Sequence, residues 1–275
     1  MSHFCMWAVT KTDSQEELEK IMQPYHEYEC TGIVDEYVVQ VDRTEDAIEY
    51  YERLKDEYEN VREFLEDWYG VEHIFKESEQ AFKSSRYAIV SDDETKIIKY
   101  YVYTNPNAKW DWWQIGGRWT NQYSDMIKKS EFDYNAWFEK EKQHYTDLWN
   151  LYHPLFEKHK DTLFEWNSNA ENTKEMREAY HDQPLMKEIH NNMDKYDVWD
   201  FNWKMKLPLD EYLDAILKTA SPCFGIVKED GWYEKGKMGW WACVTNENSD
   251  WNSDFKKLWA TIPDDYYIWN VDCHI

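Results

Sequence analysis

Apolar and polar positions along this chain follow two different periods, and the switches between them predict its elements. HFCMWAV, residues 3 to 9, is a short continuous apolar run, the pattern of a buried strand. Ser14 stands at the N-cap position of QEELEKIM, with Glu17 three residues on as in a capping box, and Pro24 closes that helix. PYHEYECTGIVDEYVVQVD then reads as a loop. From Thr44 onward Ile48, Tyr51, Leu54, Tyr58, Val61, Leu65 and Trp68 recur at helical spacing, predicting one long helix that ends at Gly70. RYAIVSDDETKIIKYYVY, residues 86 to 103, reads as a β-hairpin around Ser-Asp-Asp-Glu, and the Asn-Pro-Asn that follows breaks its second strand.

Beyond that point the helical period dominates. From Ser130 to about Lys195, Trp137, His144, Leu148 and Leu151 are among the recurring positions, interrupted by Pro154 and Pro184. His144, His153, His159, His181 and His190 are expected on solvated faces of this block. A further helix is expected from about Pro208 to Lys218, with proline tolerated in its first turn. Strand character returns in CFGIVK and from Met238 to Val244, on either side of the turn-rich EDGWYEKGK. WNSDFKKLWATI reads as a helix with Trp251, Phe255, Leu258 and Trp259 on one side, and YYIWNVDCHI as a strand. Strands at both ends around a helical block predict an α+β fold: a mainly antiparallel sheet built from N- and C-terminal segments, with packed helices and a large helical insertion. The expected organisation is a single composite domain over residues 1–275, with 130–218 as the insertion.

One stretch departs from both periods. NPNAKWDWWQIGGRW, residues 105 to 119, holds four of the 17 tryptophans, two of the eight glycines and one of only six arginines. A tight turn between aromatic walls, with a cation at its end, would account for that mixture. Gly116 and Gly117 permit positive φ and close backbone approach, and consecutive amides there could form an anion-binding nest. Arg118 could hold a phosphate or carboxylate bidentately. Trp110, Trp112, Trp113 and Trp119 could stack a ring. The alternative is a chain reversal whose tryptophans fill the core and whose Arg118 pairs with Asp111. The candidate ligand-binding residues are therefore Trp110, Asp111, Trp112, Gln114, Gly116, Gly117, Arg118 and Trp119.

Composition narrows the partners. The formal net charge is −24, from 55 acidic and 31 basic residues, a field that disfavours direct contact with nucleic acid or an anionic membrane. No apolar run is long enough to span a bilayer, and the first twenty residues lack the pattern of a secretion signal. Five scattered cysteines without a C-x-x-C pair read as reduced thiols of a cytosolic protein.

SHF, PYHEYECTG, DEYV, TNPNAKWDWWQIGGRW, GWYEKGKMGWWACV and VDCHI together resemble a family of proteins of unassigned activity found mainly in phages and mobile elements. The resemblance covers both ends of the chain and departs after Arg118, where Thr120-Asn121-Gln122-Tyr123 stands in place of the family's Thr-Gly and aromatics. It implies a phage context, in the cytoplasm of an infected bacterial host, and no mechanism.

Two further groups could carry chemistry. His26, Glu27, Glu29 and Cys30 cluster in one segment, and Asp272, Cys273 and His274 in another. These are zinc-ligand types without a recognised spacing, so no metal site is assigned and the cofactor is left open. His26 and His274 are the candidate acid–base residues if the protein is an enzyme, because histidine exchanges protons near neutrality. His3 shares that ambiguity. MGWWAC, residues 238 to 243, is a second small-plus-tryptophan element, in which Gly239 could admit a close backbone or ligand. No P-loop, G-x-S-x-G elbow, H-E-x-x-H or EF-hand pattern occurs. The expectation is a cytosolic phage-type protein that binds a small anionic, ring-bearing, nucleotide-like ligand and so sequesters a host immune signal. A hydrolase of such a ligand, and an acidic DNA mimic or host-protein inhibitor, are the alternatives.

Overall fold

The computed structural model describes residues 2–27, 36–81, 84, 86–165, 174–239 and 242–275. In chain order the elements are β1 (His3–Thr10), α1 (Gln15–Met22), β2 (Val39–Asp42), α2 (Thr44–Leu54), α3 (Val61–Tyr69), β3 (His73–Lys76), β4 (Arg86–Val90), β5 (Ile97–Thr104), β6 (Trp112–Ile115) and β7 (Met126–Lys128). There follow α4 (Tyr134–His159), α5 (Lys174–Asp182), α6 (Pro184–Asn191), α7 (Leu209–Leu217), β8 (Gly225–Lys228), β9 (Gly231–Glu234), β10 (Lys237–Met238), β11 (Val244–Thr245), α8 (Trp251–Thr261) and β12 (Tyr267–His274). The fold is α+β, and its main sheet is assembled from the two ends of the chain as expected.

That sheet has the order β6-β12-β1-β8-β9, with β7 also paired to β12. β1 and β12 run antiparallel over their full length, from His3 opposite His274 to Thr10 opposite Tyr267, while β8 lies parallel to β1. Strand side chains alternate between faces, so this register fixes two sets. Phe4, Met6, Ala8, Trp269, Val271 and Cys273 face one way and pack with Leu18 and Met22 of α1. Cys5, Trp7, Val9 and Ile268 face the other way and pack with Trp251, Phe255 and Trp259 of α8. At the His3–His274 end this second face turns polar.

A second sheet, β2-β5-β4-β3, is covered by α2 and α3, with Ala47, Val61, Phe64 and Leu65 against Ala88, Val90 and Tyr100. Between β7 and β8 the chain forms the helical block, whose core includes Tyr152, Phe156, Leu185, Met186, Ile189 and Tyr212. Among the described residues no helix is long and apolar enough to cross a membrane.

Several local expectations are corrected. The long helix from Thr44 is two helices: a 3₁₀ turn at Lys55–Glu57 interrupts it, and the Asn60 side chain accepts from the Glu63 N–H to start α3. Gly70, at φ +60°, ends α3 as expected. Pro154 lies inside α4 without ending it, flanked by the buried Tyr152, Leu155 and Phe156, whose packing outweighs the lost backbone bond. Ser14 makes no side-chain cap. The Glu17 carboxylate instead accepts from the Lys11 and Thr12 amides, joining α1 to the end of β1. β2 falls in a segment expected to be loop, and β9 in the expected link EDGWYEKGK. Of the expected strand from Met238 to Val244, Met238 lies in β10 and Val244 in β11, which pair antiparallel, and Ala242 stands at φ +56°; Trp240 and Trp241 lie outside the described residues. His153 is half-buried, donating or accepting at the Met205 carbonyl and stacked on Trp149, and His159 is half-buried against Glu188, so neither lies on a fully solvated face.

The seal between sheet and α8 depends on Phe255, which is fully buried among Trp7, Tyr134 and Trp251. Phe255→Ala is expected to destabilise the protein by about 3–5 kcal/mol through lost burial and a residual cavity. Urea unfolding followed by tryptophan fluorescence measures this, and a loss below about 1 kcal/mol would show that α8 is not part of the cooperative core.

Candidate functional site

The β6–β12–β1 register brings polar side chains together at one end of the sheet. Asp272 lies opposite Gln114 and Cys5, and His274 opposite Trp112 and His3. All six are on one face. Cys273, between them in sequence, points to the opposite face and is fully buried, so the Asp-Cys-His triplet is split by strand alternation.

Asp272 is the centre of this group. It is fully buried, and its Oδ1 accepts from His3 Nδ1 at 3.0 Å. Its Oδ2 accepts from the Arg118 backbone N–H at 3.0 Å and from Gln114 Nε2 at 3.4 Å. Burial by itself pushes the carboxyl up, but the Arg118 amide, His3 and Gln114 together hold it below the usual carboxylate range. An ionised carboxylate only accepts, so His3 Nδ1 carries a proton directed at Asp272 Oδ1.

The Gly-Gly turn supplies that amide. Gly116 and Gly117 stand at φ +69° and +54°, in the region glycine favours, and begin a 3₁₀ turn over Gly117–Trp119. A Cβ on Gly117 would overlap the Asp272 carboxylate. The Arg118 amide of the turn holds an anion of the protein itself, the Asp272 carboxylate.

A second histidine sits beside the first. His274 Nδ1 lies 2.7 Å from Asp111 Oδ1, which also accepts from the Trp112 amide at 2.7 Å. The Asp111–Arg118 ion pair considered from the sequence does not form, since Asp111 is taken by His274. Arg118 is exposed, and among the described residues its guanidinium joins no ion pair. The His274 ring stacks on Trp112 at 5.0 Å and 15°, and meets His3 edge-on at 4.9 Å and 71°. The side chains of His3 and His274 are 10% and 6% exposed, and neither Nε2 has a hydrogen-bond partner or is an enclosed orphan among the described residues. Two imidazoles, each held through Nδ1 by its own carboxylate, thus stand side by side with ring centroids 4.9 Å apart.

The remaining sequence candidates separate. Trp110 and Trp113 join the α1-side core and Trp119 the α8-side core, leaving Trp112, 41% exposed, as the ring displayed at the histidines. His26 stacks on Trp110 at 4.4 Å and its Nε2–H donates to the Asp111 carbonyl at 3.0 Å. It reaches the group through the backbone of Asp111, whose side chain holds His274. Glu29 and Cys30 lie outside the described residues. Burial pushes the thiols of Cys5, Cys223 and Cys273 up, which keeps them neutral and poor as nucleophiles or metal ligands. Among the described residues no three His, Cys, Asp or Glu side chains are grouped to hold a metal ion. His3 is the residue that sequence reasoning underweighted. Its signal was the matched spacing His-x-Cys in one terminal strand and Asp-x-His in the other.

Two adjoining clefts open on this face of the sheet, beneath α4. One, of about 470 Å³, is lined by His3, Cys5 and Trp119; the other, of about 880 Å³, by Trp7, Tyr123 and Asn270. Gln122, Glu141, Ser221 and Pro222 line both. Searches against known protein families, curated proteins and solved structures found no match to this chain.

Asp272→Asn is expected to lower the unfolding free energy by about 1–3 kcal/mol at neutral pH, because Arg118 N–H and His3 lose an ionic acceptor. The carboxyl is depressed in the folded protein, so this stabilisation is present above the ordinary carboxylate pKa of about 3.9 and is lost as pH falls through the lower folded value. Urea unfolding of both proteins at about pH 7, 5 and 3 checks the sign. A difference that grows toward the acid end would contradict it.

Proposed function

We propose that the end of the sheet where β6, β12 and β1 meet binds a small anionic molecule carrying a planar ring and cleaves it by general acid–base catalysis. The observation that carries this reading is the pair of Nδ1-anchored histidines, His3 on Asp272 and His274 on Asp111, with ring centroids 4.9 Å apart. An ordinary histidine exchanges protons near neutrality, so a pair can present one imidazole and one imidazolium at once. His3, oriented by a buried ionised carboxylate, serves as the base that takes a proton from the attacking hydroxyl. His274, held by Asp111 and stacked on Trp112, serves as the acid that protonates the leaving oxygen. The carboxylates keep each ring in the tautomer that points Nε2 away from the strand, the role an aspartate plays in orienting a catalytic histidine.

Arg118 provides the charge. The net charge of −24 repels anions at long range, so capture needs a local cation whose charge is not already neutralised. The two carboxylates of the site are engaged by histidines and amides, while Arg118, whose backbone N–H holds Asp272, has a side chain that is exposed and in no ion pair among the described residues. It suits the phosphate of a nucleotide-like substrate, and charge building on that phosphate during cleavage. The phage context is supported by the sequence resemblance alone. The same site would serve sequestration if the bound molecule were left intact.

The test is turnover of a panel of ribonucleotides and cyclic nucleotides, with products resolved by mass spectrometry. His3→Ala and His274→Ala are each expected to lower turnover by about 10²–10⁴-fold, and the wild-type pH–rate profile to be bell-shaped. Arg118→Ala should weaken both binding and turnover while the protein stays folded. Recovery of the panel unchanged, with one member retained stoichiometrically, would replace catalysis by sequestration. Neither turnover nor retention would refute the reading.

A further inference from the structure

The first two turns of α4 wall the 880 Å³ cleft with a single helical stripe. Asp133, Ala136, Trp137, Lys140 and Glu141 recur at i, i+3, i+4, i+7 and i+8, and all five line the cleft. Across from them stand Tyr123 and Phe132, whose rings meet Trp7 edge-on at 5.5 and 4.8 Å. Trp7 itself is covered, whereas Tyr123, Phe132 and Trp137 are half-buried. Those three rings are therefore the aromatic surface that a molecule in the cleft would touch.

The charge of the lining says what kind of molecule. Three carboxylates, Glu131, Asp133 and Glu141, face one cation, Lys140, and among the described residues none of the three joins an ion pair. Glu131 and Asp133 each accept one backbone N–H, from Lys128 and Ala136, and an ionised carboxylate has further lone pairs to offer. Glu141 is half-buried and has no hydrogen-bond partner among the described residues. Burial pushes the Tyr123 and Tyr145 hydroxyls up and the Glu141 charge adds to this, so its carboxylate lies beside both rings. A partly desolvated carboxylate attracts a cation more strongly than one in open water. The net charge of −24 gathers cations at the surface, and a low-dielectric cleft focuses that field. Carboxylates alone would accept any counterion. The rings select an organic one, because an alkylammonium offers both methylenes and positive charge to an aromatic face. Asp133 and Glu141 are separated by about 12 Å of helix rise, with Trp137 midway. A compact cation meets one of them, and a linear one with amines at both ends meets both.

We infer that this cleft is a second ligand site, apart from the histidine pair, and that it takes a linear aliphatic polyamine: one ammonium at Glu141, one at the Glu131–Asp133 end, and the methylene chain over Trp137, Tyr123 and Phe132. Neither His3 nor His274 lines this cleft, so the inference does not rest on the acid–base reading.

The probe is spermidine, titrated by calorimetry into the full-length protein at about 0.15 M salt, where the long-range field is largely screened. Saturable binding of one spermidine per chain is expected, with Mg²⁺ and tetramethylammonium each at least about tenfold weaker. Glu141→Gln and Asp133→Asn, the second of which keeps the α4 cap, should each weaken spermidine about three- to tenfold. Trp137→Leu should weaken it about threefold or more through loss of the ring face. Lys140→Gln, which removes the one cation of the lining, should tighten it. A gain in affinity cannot come from misfolding, so this variant keeps the test valid if Trp137→Leu destabilises the helix. Glu45→Gln, on the exposed side of α2, should change nothing. Absence of saturable binding, or Mg²⁺ binding as tightly as spermidine, would overturn the site. So would an equal loss with Glu45→Gln and Glu141→Gln, which would leave only a counterion atmosphere around an acidic protein. Tetramethylammonium binding as tightly as spermidine would overturn the two-ended ligand.

Discussion

The antiparallel pairing of β1 with β12, closed at its polar end by the buried Asp272 carboxylate, is the constraint from which the rest of the structure follows. The pairing joins segments more than 260 residues apart in the chain, His3 to His274, so two adjacent inner strands of the sheet come from opposite ends of the chain. Asp272 then ties three elements at once: His3 of β1, Gln114 of β6 and the amide of Arg118 in the Gly-Gly turn. A buried charge is tolerated only when its lone pairs are met, and here the turn, the strand edge and the histidine meet them. Loss of any one would leave the others organised around a carboxylate that burial favours protonating.

The same constraint sorts the aromatic residues. Along β1 and β12 the alternation sends Phe4 and Trp269 toward α1, and Trp7 toward α8. The helical block has its own aromatic core around Tyr152, Phe156 and Tyr212. Most of the tryptophan surplus is therefore packing, as large rings usually are. Trp112 differs because β6 pairs with β12 on one side only in the sheet order, and strand alternation puts its ring on the polar face beside His274 rather than under a helix.

Charge and chemistry are reconciled locally. The long-range field is negative, yet at the histidine pair each carboxylate is engaged by an imidazole or an amide, and among the described residues the Arg118 guanidinium joins no ion pair. The paired histidines and the cleft lined by His3 belong to one stretch of sheet face.

Much of this was legible from the chain. The apolar runs gave β1, β8 and β12, the helical spacing gave α7 and α8, and the clustering of Trp, Gly and Arg in residues 105–119 singled out the turn that lies at the site. Local pattern is sufficient for these because burial on one face imposes its period on the sequence. It could not give the break at Lys55–Glu57, decided by competition between a cap and continued helix, nor the passage of α4 through Pro154, decided by tertiary burial. It also could not show that the anion in the Gly-Gly turn is Asp272, or that His3 and His274 meet while His26 stacks on Trp110. Those facts depend on strand register between distant segments. A shift of one residue would send every one of these side chains to the other face, and only the packing of both faces selects the register that is found.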